Sequence, residues 1–432
     1  MCNLNRTLIS DLENKINEEV CLKGWIYKIR RLSKISFIIL RDRSGKVQCV
    51  VENSIIDFAK IKNESIVCIT GKVVNSNNSI NSYEIQGNNV ELISAVENEI
   101  PLEINSSNFN VNLDTILNNR SVSLRQEKIN SVFKFQAIIA QGFREFLVSQ
   151  GFTEVFTPKI VAEGAEGGTA IFEVKYFENK AYLAQSPQFY KQMLVGAGYE
   201  RVFEIGHAYR AEEHNTNRHL NEYISMDFEM GFIDSEKDVM KMEEQLLKYI
   251  LNKLSKEAKA ILEDFEIELP KIGDSIPAIK FKDALELLSK VYHKDDLEGD
   301  LDPESEKLLC KYAKEHLNSE FLFVTHYPRK KRPMYTMPEE EQWTRSFDLL
   351  FRGLEITTGG QRINDYNMLV SNMKIKGLNP DKFQSYLEAF KYAIPPHGGL
   401  AIGLERLTAQ LLKLNNVREA SLFPRDRTRI IP

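Results

Sequence analysis

The stretch RVFEIGHAYRAEEHNTNRHLNEYISMDFEMGFID, residues 201–234, contains two runs of alternating polar and apolar residues joined by a charged segment. Alternation with a period of two is typical of half-buried β-strands, so residues 201–210 and 224–230 are predicted to be neighbouring antiparallel strands. The same period places the polar residues of the second strand together on one face: Ser225, Asp227 and Glu229. The sequence therefore predicts a sheet with a carboxylate-bearing surface.

The segment that joins these strands, residues 211–220, is long for a hairpin connection and dense in charge. Such a loop suits closure over an anionic ligand. A structural network of salt bridges is the alternative, and the pattern alone does not separate the two.

Two further segments bring groups that bind phosphate and metal. Residues 353–358 predict another strand with an acidic residue and hydroxyls, followed by Gly359 and Gly360, predicted to form a flexible turn, and by Arg362. Carboxylate and hydroxyl oxygens suit the Mg²⁺ that accompanies a nucleotide. The leucines of residues 404–414 predict a helix whose N-terminus, preceded by the glycines of residues 397–403, favours phosphate. Neither GxxxxGK[ST] nor a strand-borne GxGxxG occurs, so a P-loop or Rossmann site is excluded.

The first hundred residues predict a small barrel. Residues 23–46 carry eight basic side chains and a single acid, Asp42, interleaved with the apolar alternation of strands. With residues 47–51, 65–74 and 82–85 this makes four or five short strands. Cations with exposed rings suit single-stranded nucleic acid, although a merely solvated charged face is equally typical of such a pattern.

Composition bounds the remaining possibilities. The chain has 432 residues, a net charge of −5 and 43% hydrophobic residues, which excludes a disordered chain and suggests two or three folded units. The apolar runs fall short of the roughly 18 residues that span a bilayer, so we expect a soluble, cytoplasmic protein without a membrane segment. The five cysteines are scattered and predict reduced thiols rather than a disulfide or zinc framework.

Taken together, these segments resemble the signature motifs of class II aminoacyl-tRNA synthetases. The resemblance lies in residues 203–222 for the second motif, Gly403-Leu404-Glu405-Arg406-Leu407 for the third, and the predicted helix of residues 132–146 with Thr157-Pro158-Lys159-Ile160 for the first. It spans nearly the whole chain in the family's order. It is closest to the aspartyl-tRNA synthetases of the archaeal and eukaryotic type.

The resemblance implies an α+β protein. It implies an OB-fold β-barrel that binds the anticodon (residues 1–100), a hinge (residues 101–125) and a class II catalytic domain with an antiparallel β-sheet flanked by helices (residues 126–432). The connection of residues 235–319 is variable in the family, and the sequence assigns it no chemistry. The implied activity is that of an aspartate–tRNA ligase, which forms aspartyl-adenylate from L-aspartate and ATP with Mg²⁺ and then charges tRNA(Asp). A homodimer formed through the first motif is also implied.

By the same resemblance, each role falls on matched positions. Arg210 is the expected catalytic residue. The expected aspartate-binding residues are Glu166, Gln188, Lys191, Asp227, Thr358 and Arg362. The expected ATP-binding residues are Arg210, Ala211, Glu212, Arg218, His219, Leu220, Glu355, Gly403, Leu404, Glu405 and Arg406. Mg²⁺ is expected on Glu355 and Thr358, and the anticodon on Phe37, Gln48 and Glu84.

Three questions stay open at this level. Tyr27 stands where some members that select only tRNA(Asp) carry tryptophan, so tRNA(Asn) is a second candidate substrate, which would require an amidotransferase partner. An asparaginyl-tRNA synthetase is a second alternative, although such enzymes typically carry an acidic residue at the position of Lys191. A non-catalytic RNA-binding paralogue is a third, although such proteins commonly lose motif arginines that are present here.

Overall fold

The computed structural model describes residues 4–77, 79–106, 110–164, 170–213, 216–295 and 299–432. The chain divides into two compact units, Met1–Gln126 and Glu127–Pro432. In the ranges described, no helix combines the length and the apolar composition that crossing a membrane requires.

The first unit is a closed β-barrel, as the alternation of residues 23–51 predicts. Its strands are β1 (Glu19–Arg31), β2 (Ile35–Asp42), β3 (Gly45–Glu52), β4 (Ile66–Asn75) and β5 (Tyr83–Ser94). They are bonded in the order β1-β2-β3-β5-β4, and the pairing of β4 with β1 closes the barrel. Two 3₁₀ turns (Ile9–Lys15 and Asn53–Ile55) and two short helices, α1 (Leu113–Asn118) and α2 (Arg120–Ser123), complete this unit. Every second strand residue points inward, so side chains such as Ile26, Ile38 and Val47 fill the interior.

The second unit is built on an eight-stranded sheet. In spatial order its strands are β12 (Ala278–Lys280), β13 (Phe321–Thr325), β16 (Ser346–Phe351), β17 (Leu354–Gln361), β18 (His397–Gly403), β11 (Glu222–Gly231), β10 (Arg201–Tyr209) and β6 (Thr153–Glu154). Neighbours from β13 to β10 are antiparallel, and the two outermost pairs are parallel. The smaller strands are β7 (Ile160–Val161), β8 (Glu173–Tyr176), β9 (Asn179–Leu183), β14 (Pro338–Glu339) and β15 (Trp343–Thr344).

Helices surround this sheet. They are α3 (Glu127–Ser149), α4 (Gln188–Leu194), α5 (Glu236–Glu257), α6 (Lys259–Asp264), α7 (Phe281–Tyr292), α8 (Pro303–His316), α9 (Tyr366–Ile375), α10 (Gln384–Lys391) and α11 (Leu404–Leu411). A π-helical turn (Val195–Tyr199) and 3₁₀ turns (Arg329–Lys331, Pro380–Phe383 and Val417–Ala420) link them.

The predicted pair of strands forms as expected. β10 and β11 are antiparallel over their whole length, with Glu204 opposite Asp227. Met226 and Phe228 point to the back of the sheet, where α3 and α5 cover them in the main apolar core. The edge-to-face contact of Phe143 on α3 with Phe203 on β10, with ring centroids 5.9 Å apart, belongs to this layer. Because the back is sealed by helices, Ser225, Asp227 and Glu229 face the opposite side.

Two glycine segments differ from their sequence interpretation. Gly359 and Gly360, predicted to form a flexible turn, lie inside β17. A Cβ on Gly359 would come within 2.5 Å of the Phe347 ring, so glycine there permits close packing rather than a turn. Residues 397–403, read as the glycine-rich approach to a helix, are the central strand β18 between β11 and β17.

A carboxyl group lies in the core behind the sheet. Glu243 on α5 occupies the apolar face that its neighbours Val239 and Leu246 mark, and its side chain is fully buried. Neither of its carboxyl oxygens has a hydrogen-bond partner of normal geometry among the described residues, although the Thr357 hydroxyl lies close. Burial raises the pKa of Glu243 to about 8, so the group is protonated at neutral pH.

This group makes stability depend on pH. Because its folded pKa lies above the ordinary value, its contribution is complete below about pH 4.5 and is lost as the pH rises through about 8. We expect the wild-type protein to lose roughly 3 kcal/mol more than Glu243→Gln between pH 5.5 and 8.5. Chemical unfolding midpoints at the two pH values measure this, with Glu257→Gln at the exposed end of the same helix as the control. Equal losses in wild type and Glu243→Gln would refute the assignment.

Candidate active site and nucleic-acid surface

A cleft of about 330 Å³ opens on the front of the sheet of the second unit, over β11, β17 and β18. Most residues singled out in the sequence line it: Gln188, Lys191, Arg210, Glu212, Arg218, His219, Leu220, Asp227, Glu355, Thr358, Arg362, Gly403, Glu405 and Arg406. They come from six separate chain segments. The fold therefore assembles cations, carboxylates and hydroxyls that are up to 218 positions apart in the chain.

At one end of the cleft, two buried cations meet two buried carboxylates. Lys191 Nζ lies 2.9 Å from Asp227 Oδ1 and 3.4 Å from Glu229 Oε2. Arg362 Nε donates to Glu229 Oε1 at 2.9 Å, and its Nη2 donates to the Gly399 carbonyl at 2.9 Å. All four residues are at least 95% buried. The expected cations are thus in place, but each is already balanced by a carboxylate of the protein.

Glu229 is the residue of this quartet to which the sequence assigned no role. The alternation of β11 put it on the correct face, beside Asp227. Burial alone would raise its pKa, but the Arg362 guanidinium and the Lys191 ammonium outweigh burial and hold the pKa below its ordinary value. Gly399 is required beside it, since a Cβ there would lie 2.3 Å from Glu229 Oε2 and 2.1 Å from the Phe228 carbonyl oxygen.

Helix α4 supplies the next polar group. Gln188 precedes Lys191 by one helical turn, so both side chains lie on the same face of the helix and reach the cleft. The Nε2 amide of Gln188 is buried and has no hydrogen-bond partner among the described residues. A buried amide without a partner suits a polar ligand atom in the cleft. Glu166, expected at the substrate ammonium, lies outside the described residues.

The other end of the cleft carries the cations of the loop between β10 and β11. Arg210 Nη1 lies 3.9 Å from Glu212 Oε1, and His219 Nε2 lies 3.6 Å from Glu212 Oε2. Arg218 donates from Nη2 to Glu306 Oε2, and Arg406 donates from Nη1 to the Glu355 carbonyl at 3.2 Å. Cations from the loop and from α11 thus face one another across the cleft, as binding of a polyanion requires.

The expected metal ligands lie side by side because of a β-bulge. A spacing of three residues would place Glu355 and Thr358 on opposite faces of a regular strand. The pairing with β16 slips by one residue, so that Thr358 faces Asp348 and Glu355 faces Leu350. Since Asp348 and Leu350 share one face of β16, Glu355 and Thr358 share it too. Thr358 Oγ1 donates to Glu355 Oε1 at 2.8 Å.

Asp348 joins this oxygen cluster, although the sequence analysis missed it. Its Oδ2 accepts from Arg332 Nη2 at 2.6 Å. Its Oδ1 is buried and meets no donor at hydrogen-bonding geometry in the described ranges, although the Tyr327 phenol lies close enough to interact with the carboxyl. Burial raises the pKa of Asp348 to about 6 against the pull of Arg332. The signal that could have revealed it is an acid inside the otherwise apolar run of residues 347–351.

Two carboxylates, one of which has an orphaned buried oxygen, and one hydroxyl form a donor set that fits Mg²⁺. A divalent cation would also favour the charged form of Asp348, which burial disfavours. The structure thus provides oxygen ligands of the type that Mg²⁺ prefers on β16 and β17.

Three of the residues expected to bind ATP have surroundings that differ from those of the other expected ATP-binding residues. Leu404 is buried in the apolar core, and Ala211 is not part of the cleft wall. The carboxyl oxygens of Glu405 accept from the Ile224 backbone N–H at 3.1 and 3.0 Å, and burial raises the pKa of Glu405 to about 8. Glu405 therefore anchors α11 to β11 while it borders the cleft.

The expected anticodon residues lie together on the outer face of the barrel. The pairing of β2 with β3 sets Phe37 opposite Val50 and Ile39 opposite Gln48. Gln48 Nε2 donates to Glu84 Oε2 at 2.8 Å, which joins β3 to β5. The half-buried Phe37 ring, an amide and a carboxylate on one face suit stacking on a base and reading of base edges.

Tyr27 occupies a β-bulge on β1. The register of β1 against β2 skips it, since Ile26 faces Leu40 and Lys28 faces Ile39. Its hydroxyl donates to the Asn105 carbonyl at 3.1 Å, and Lys46 Nζ lies 4.6 Å from its ring centroid. A cation over the ring holds the side chain at the basic surface of the barrel.

Comparisons with known proteins cover the whole chain. A family model described as tRNA synthetases class II (D, K and N) matches residues 112–427, and one described as an OB-fold nucleic acid binding domain matches residues 20–93. The chain is 47% identical to the aspartate–tRNA(Asp/Asn) ligase of Thermus thermophilus over 99% of this chain and 100% of that protein. It is 44% identical to the aspartate–tRNA(Asp) ligase of Picrophilus torridus, over 96% of this chain and 97% of that protein.

Solved structures agree in fold. An aspartyl-tRNA synthetase from Entamoeba histolytica superposes with a TM-score of 0.87 at 30% identity, covering 99% of this chain and 93% of that one. An asparaginyl-tRNA synthetase from Pyrococcus horikoshii, complexed with asparaginyl-adenylate, superposes with a TM-score of 0.90 at 28% identity, covering 99% and 100%. The fold alone therefore does not separate aspartate from asparagine, and the cleft must do so.

Proposed function

The chain belongs to the class II tRNA synthetases of the aspartate, lysine and asparagine group, and on that premise we propose that it is an aspartate–tRNA ligase. It uses ATP to activate L-aspartate and transfers the aspartyl group to the 3′ end of tRNA(Asp). The observation that carries the choice of amino acid is the buried quartet of Lys191, Arg362, Asp227 and Glu229.

Discrimination against asparagine follows from hydrogen-bond chemistry rather than from net charge, since the quartet is already neutral. Lysine and arginine side chains donate hydrogen bonds but accept none. The bonds of Arg362 to Glu229 and Gly399 use Nε and Nη2, which leaves Nη1 without a hydrogen bond to a described residue at the cleft. A substrate carboxylate would accept from Nη1 and would be attracted by the charge of Lys191, whose ammonium donates to Asp227 and to the carbonyls of Leu400 and Phe228. The NH₂ group of asparagine would place a donor against the Nη1 donor of Arg362, which costs affinity.

Activation requires that charge on phosphate be neutralised. An α-carboxylate oxygen of aspartate attacks the α-phosphorus of ATP, and the bond to the bridging oxygen of pyrophosphate breaks. Arg210 would stabilise the charge that develops on the α-phosphate oxygens, while Arg218, His219 and Arg406 would hold the outer phosphates. In the second step, a terminal ribose hydroxyl of tRNA attacks the aspartyl carbonyl carbon, and AMP leaves.

Mg²⁺ would accompany the nucleotide. Glu355, Thr358 and Asp348 would hold it, and when bound it offsets the charge of the phosphate oxygens. Arg332, which donates to Oδ2 of Asp348, would keep that carboxylate oriented.

The deciding experiment measures aspartate-dependent pyrophosphate exchange and aspartylation of purified tRNA(Asp), with asparagine as the competing amino acid. Exchange and charging with aspartate, at least a hundredfold above asparagine, support the proposal. Preference for asparagine would indicate an asparaginyl enzyme. Absence of exchange with either amino acid would favour a non-catalytic RNA-binding role.

We also propose that the enzyme charges tRNA(Asn), with Tyr27 in its β-bulge as the observation that favours this. The relative from Thermus thermophilus carries Asp/Asn in its name. Misacylated aspartyl-tRNA(Asn) would require an amidotransferase partner. Aspartylation of tRNA(Asn) transcript tests the proposal directly, and its failure at high enzyme concentration would reject it.

The tRNA and ATP substrates are those of cytoplasmic protein synthesis, so we propose that the enzyme is cytoplasmic. Cell fractionation tests this location.

A homodimer is proposed through the segment around β6 and β7. Phe156, between β6 and β7, is 82% exposed. Three further apolar side chains are each at least half exposed: Val148 at the end of α3, Ile160 on β7 and Tyr199 in the π-helical turn. Covering such side chains in a second copy of the chain would remove their apolar area from water. We expect Phe156→Asp to convert the dimer to monomer in sedimentation experiments. Ile375→Asp, at an exposed site on α9, is the control; a monomeric wild type would refute the proposal.

A further inference from the structure

Glu306 reaches the cleft from α8, in the connection to which the sequence assigned no chemistry. Its side chain is 94% buried. A single oxygen, Oε2, accepts from Arg218 Nη2 and also from the Glu355 backbone N–H at 3.2 Å. One carboxylate thus joins the end of the loop between β10 and β11 to the first residues of β17.

The arrangement is layered. Arg218 lines the cleft, whereas Glu306 does not. The carboxylate therefore lies behind the guanidinium, and its bond uses Nη2, whereas Nη1 has no hydrogen bond to a residue in the described ranges. In the described ranges, Nε of Arg218 is buried without a hydrogen-bond partner. The Glu306 contact is the anchor that the structure provides for this side chain.

We propose that Glu306 is a positioning residue for ATP. It holds the Arg218 guanidinium at the wall of the cleft and, through the Glu355 backbone, sets the spacing between this cation and the oxygen ligands on β17. This inference rests on the proposed function, because it assigns Arg218 to the outer phosphates.

The physical reason is preorganisation. A free arginine side chain loses about 2 kcal/mol of rotamer entropy when it is ordered. A charge-assisted bond to a buried carboxylate fixes the rotamer before ATP arrives, so binding does not have to order it. The contact of Glu306 with the Glu355 backbone extends this preorganisation to β17, because it keeps Arg218 at a constant distance from the proposed metal ligands.

A second interpretation assigns Glu306 the opposite effect. A carboxylate on Arg218 could compete with phosphate, in which case its removal would tighten ATP binding. The layered geometry argues against competition, since Glu306 and the cleft lie on different sides of the guanidinium. The two interpretations predict opposite changes in affinity.

The test measures the Kd of Mg·ATP by calorimetry on the full-length protein without aspartate or tRNA, so that no turnover occurs. We expect Glu306→Ala to weaken ATP binding about tenfold. Glu306→Gln should weaken it less than about threefold, because its Oε1 still accepts both hydrogen bonds. Glu304→Ala, an exposed residue on the same helix that pairs with Lys294, is the matched control and should bind ATP like the wild type.

Two additional readouts separate positioning from general damage. The KM for aspartate in pyrophosphate exchange should stay unchanged in Glu306→Ala while the KM for ATP rises. In the background of Arg218→Ala, the further change Glu306→Ala should add less than twofold, because both act through one contact. If Glu306→Ala does not fold, Glu306→Asp serves instead, since its shorter carboxylate does not reach both donors and should weaken ATP several-fold.

Tighter or unchanged ATP binding in Glu306→Ala, or an equal loss of aspartate binding in that variant, would overturn the inference. A wild type that binds ATP but charges no tRNA would refute the proposed function. The effect of Glu306→Ala on the Kd of Mg·ATP could still be measured in that case. A wild type that charges tRNA while Glu306→Ala binds ATP normally would refute only the role of Glu306.

Discussion

Replacing Arg210 with alanine is expected to lower the rate of aspartyl-adenylate formation by about 10³-fold. The side chain lines the cleft at the end of β10, where the sheet fixes its backbone, and it lies across from the Glu355 carboxylate, whose pKa it helps to lower. In the proposed role of Arg210, loss of this cation would leave the charge that develops on the α-phosphate without a donor that stabilises it. Aspartate-dependent pyrophosphate exchange under saturating substrates measures the effect.

The effect should lie in kcat more than in KM, because the interaction strengthens as the nucleophile arrives. Arg210→Lys keeps the charge but not the planar fork, so we expect it to recover only part of the rate. Arg201→Ala, at the other end of the same strand, removes an arginine that contacts Gln150 and Phe152 and should leave exchange within threefold of wild type. A fall of less than tenfold in Arg210→Ala would contradict the assigned role.

Replacing Arg362 with glutamine is expected to act on both substrate binding and stability. We expect kcat/KM for aspartate to fall by about 10³-fold, since the side-chain carboxylate of the substrate would lose a charge-assisted donor. Glu229, fully buried, would lose its ion pair with Arg362 and keep the one with Lys191, and we expect a loss of about 3 to 5 kcal/mol in the free energy of unfolding. Exchange kinetics and chemical unfolding measure the two effects separately.

A double variant separates the two roles of this pair. Glu229→Gln together with Arg362→Gln removes both charges, so stability should return to within about 1 to 2 kcal/mol of wild type while aspartate activation stays low. Recovery of activity together with stability would show that Arg362 serves only the fold. Arg352→Gln, at a partly buried arginine paired with Glu320 away from the cleft, is the control for loss of an ion pair.

Much of the site could be predicted because its residues lie in regular elements. The alternation of β11 placed Asp227 and Glu229 on one face. Gln188 and Lys191 were expected from the family resemblance alone, and the structure shows them one turn apart on α4. The matched motifs then singled out most of the cleft wall. In these cases the local period determines which side chains share a face, so no long-range information was needed.

Other features depended on irregular pairing. Glu355 and Thr358, expected to share a metal ion, lie side by side in the structure because β17 bulges against β16, and a regular strand would have separated them. Gly359 and Gly360 were expected to turn the chain, but they continue β17 because the Phe347 ring needs the space that a side chain would take. Two adjacent glycines are compatible both with a turn and with a tightly packed strand, so the composition of this segment does not separate the two.

By itself, the sequence determined the barrel, the paired strands with their carboxylate face and the family of the chain, since these depend on short-range periodicity and on motif order. Only the tertiary structure decided that carboxylates of the protein itself balance the charges of Lys191 and Arg362. The same holds for the position of Asp348 on the strand beside Glu355 and for the contact between Glu306 and Arg218. Those contacts join residues 36 to 133 positions apart, or residues on adjacent strands in a shifted register. The physical reason is that burial, register and counter-charge are properties of packed surfaces, and no local pattern of residues encodes which surfaces meet.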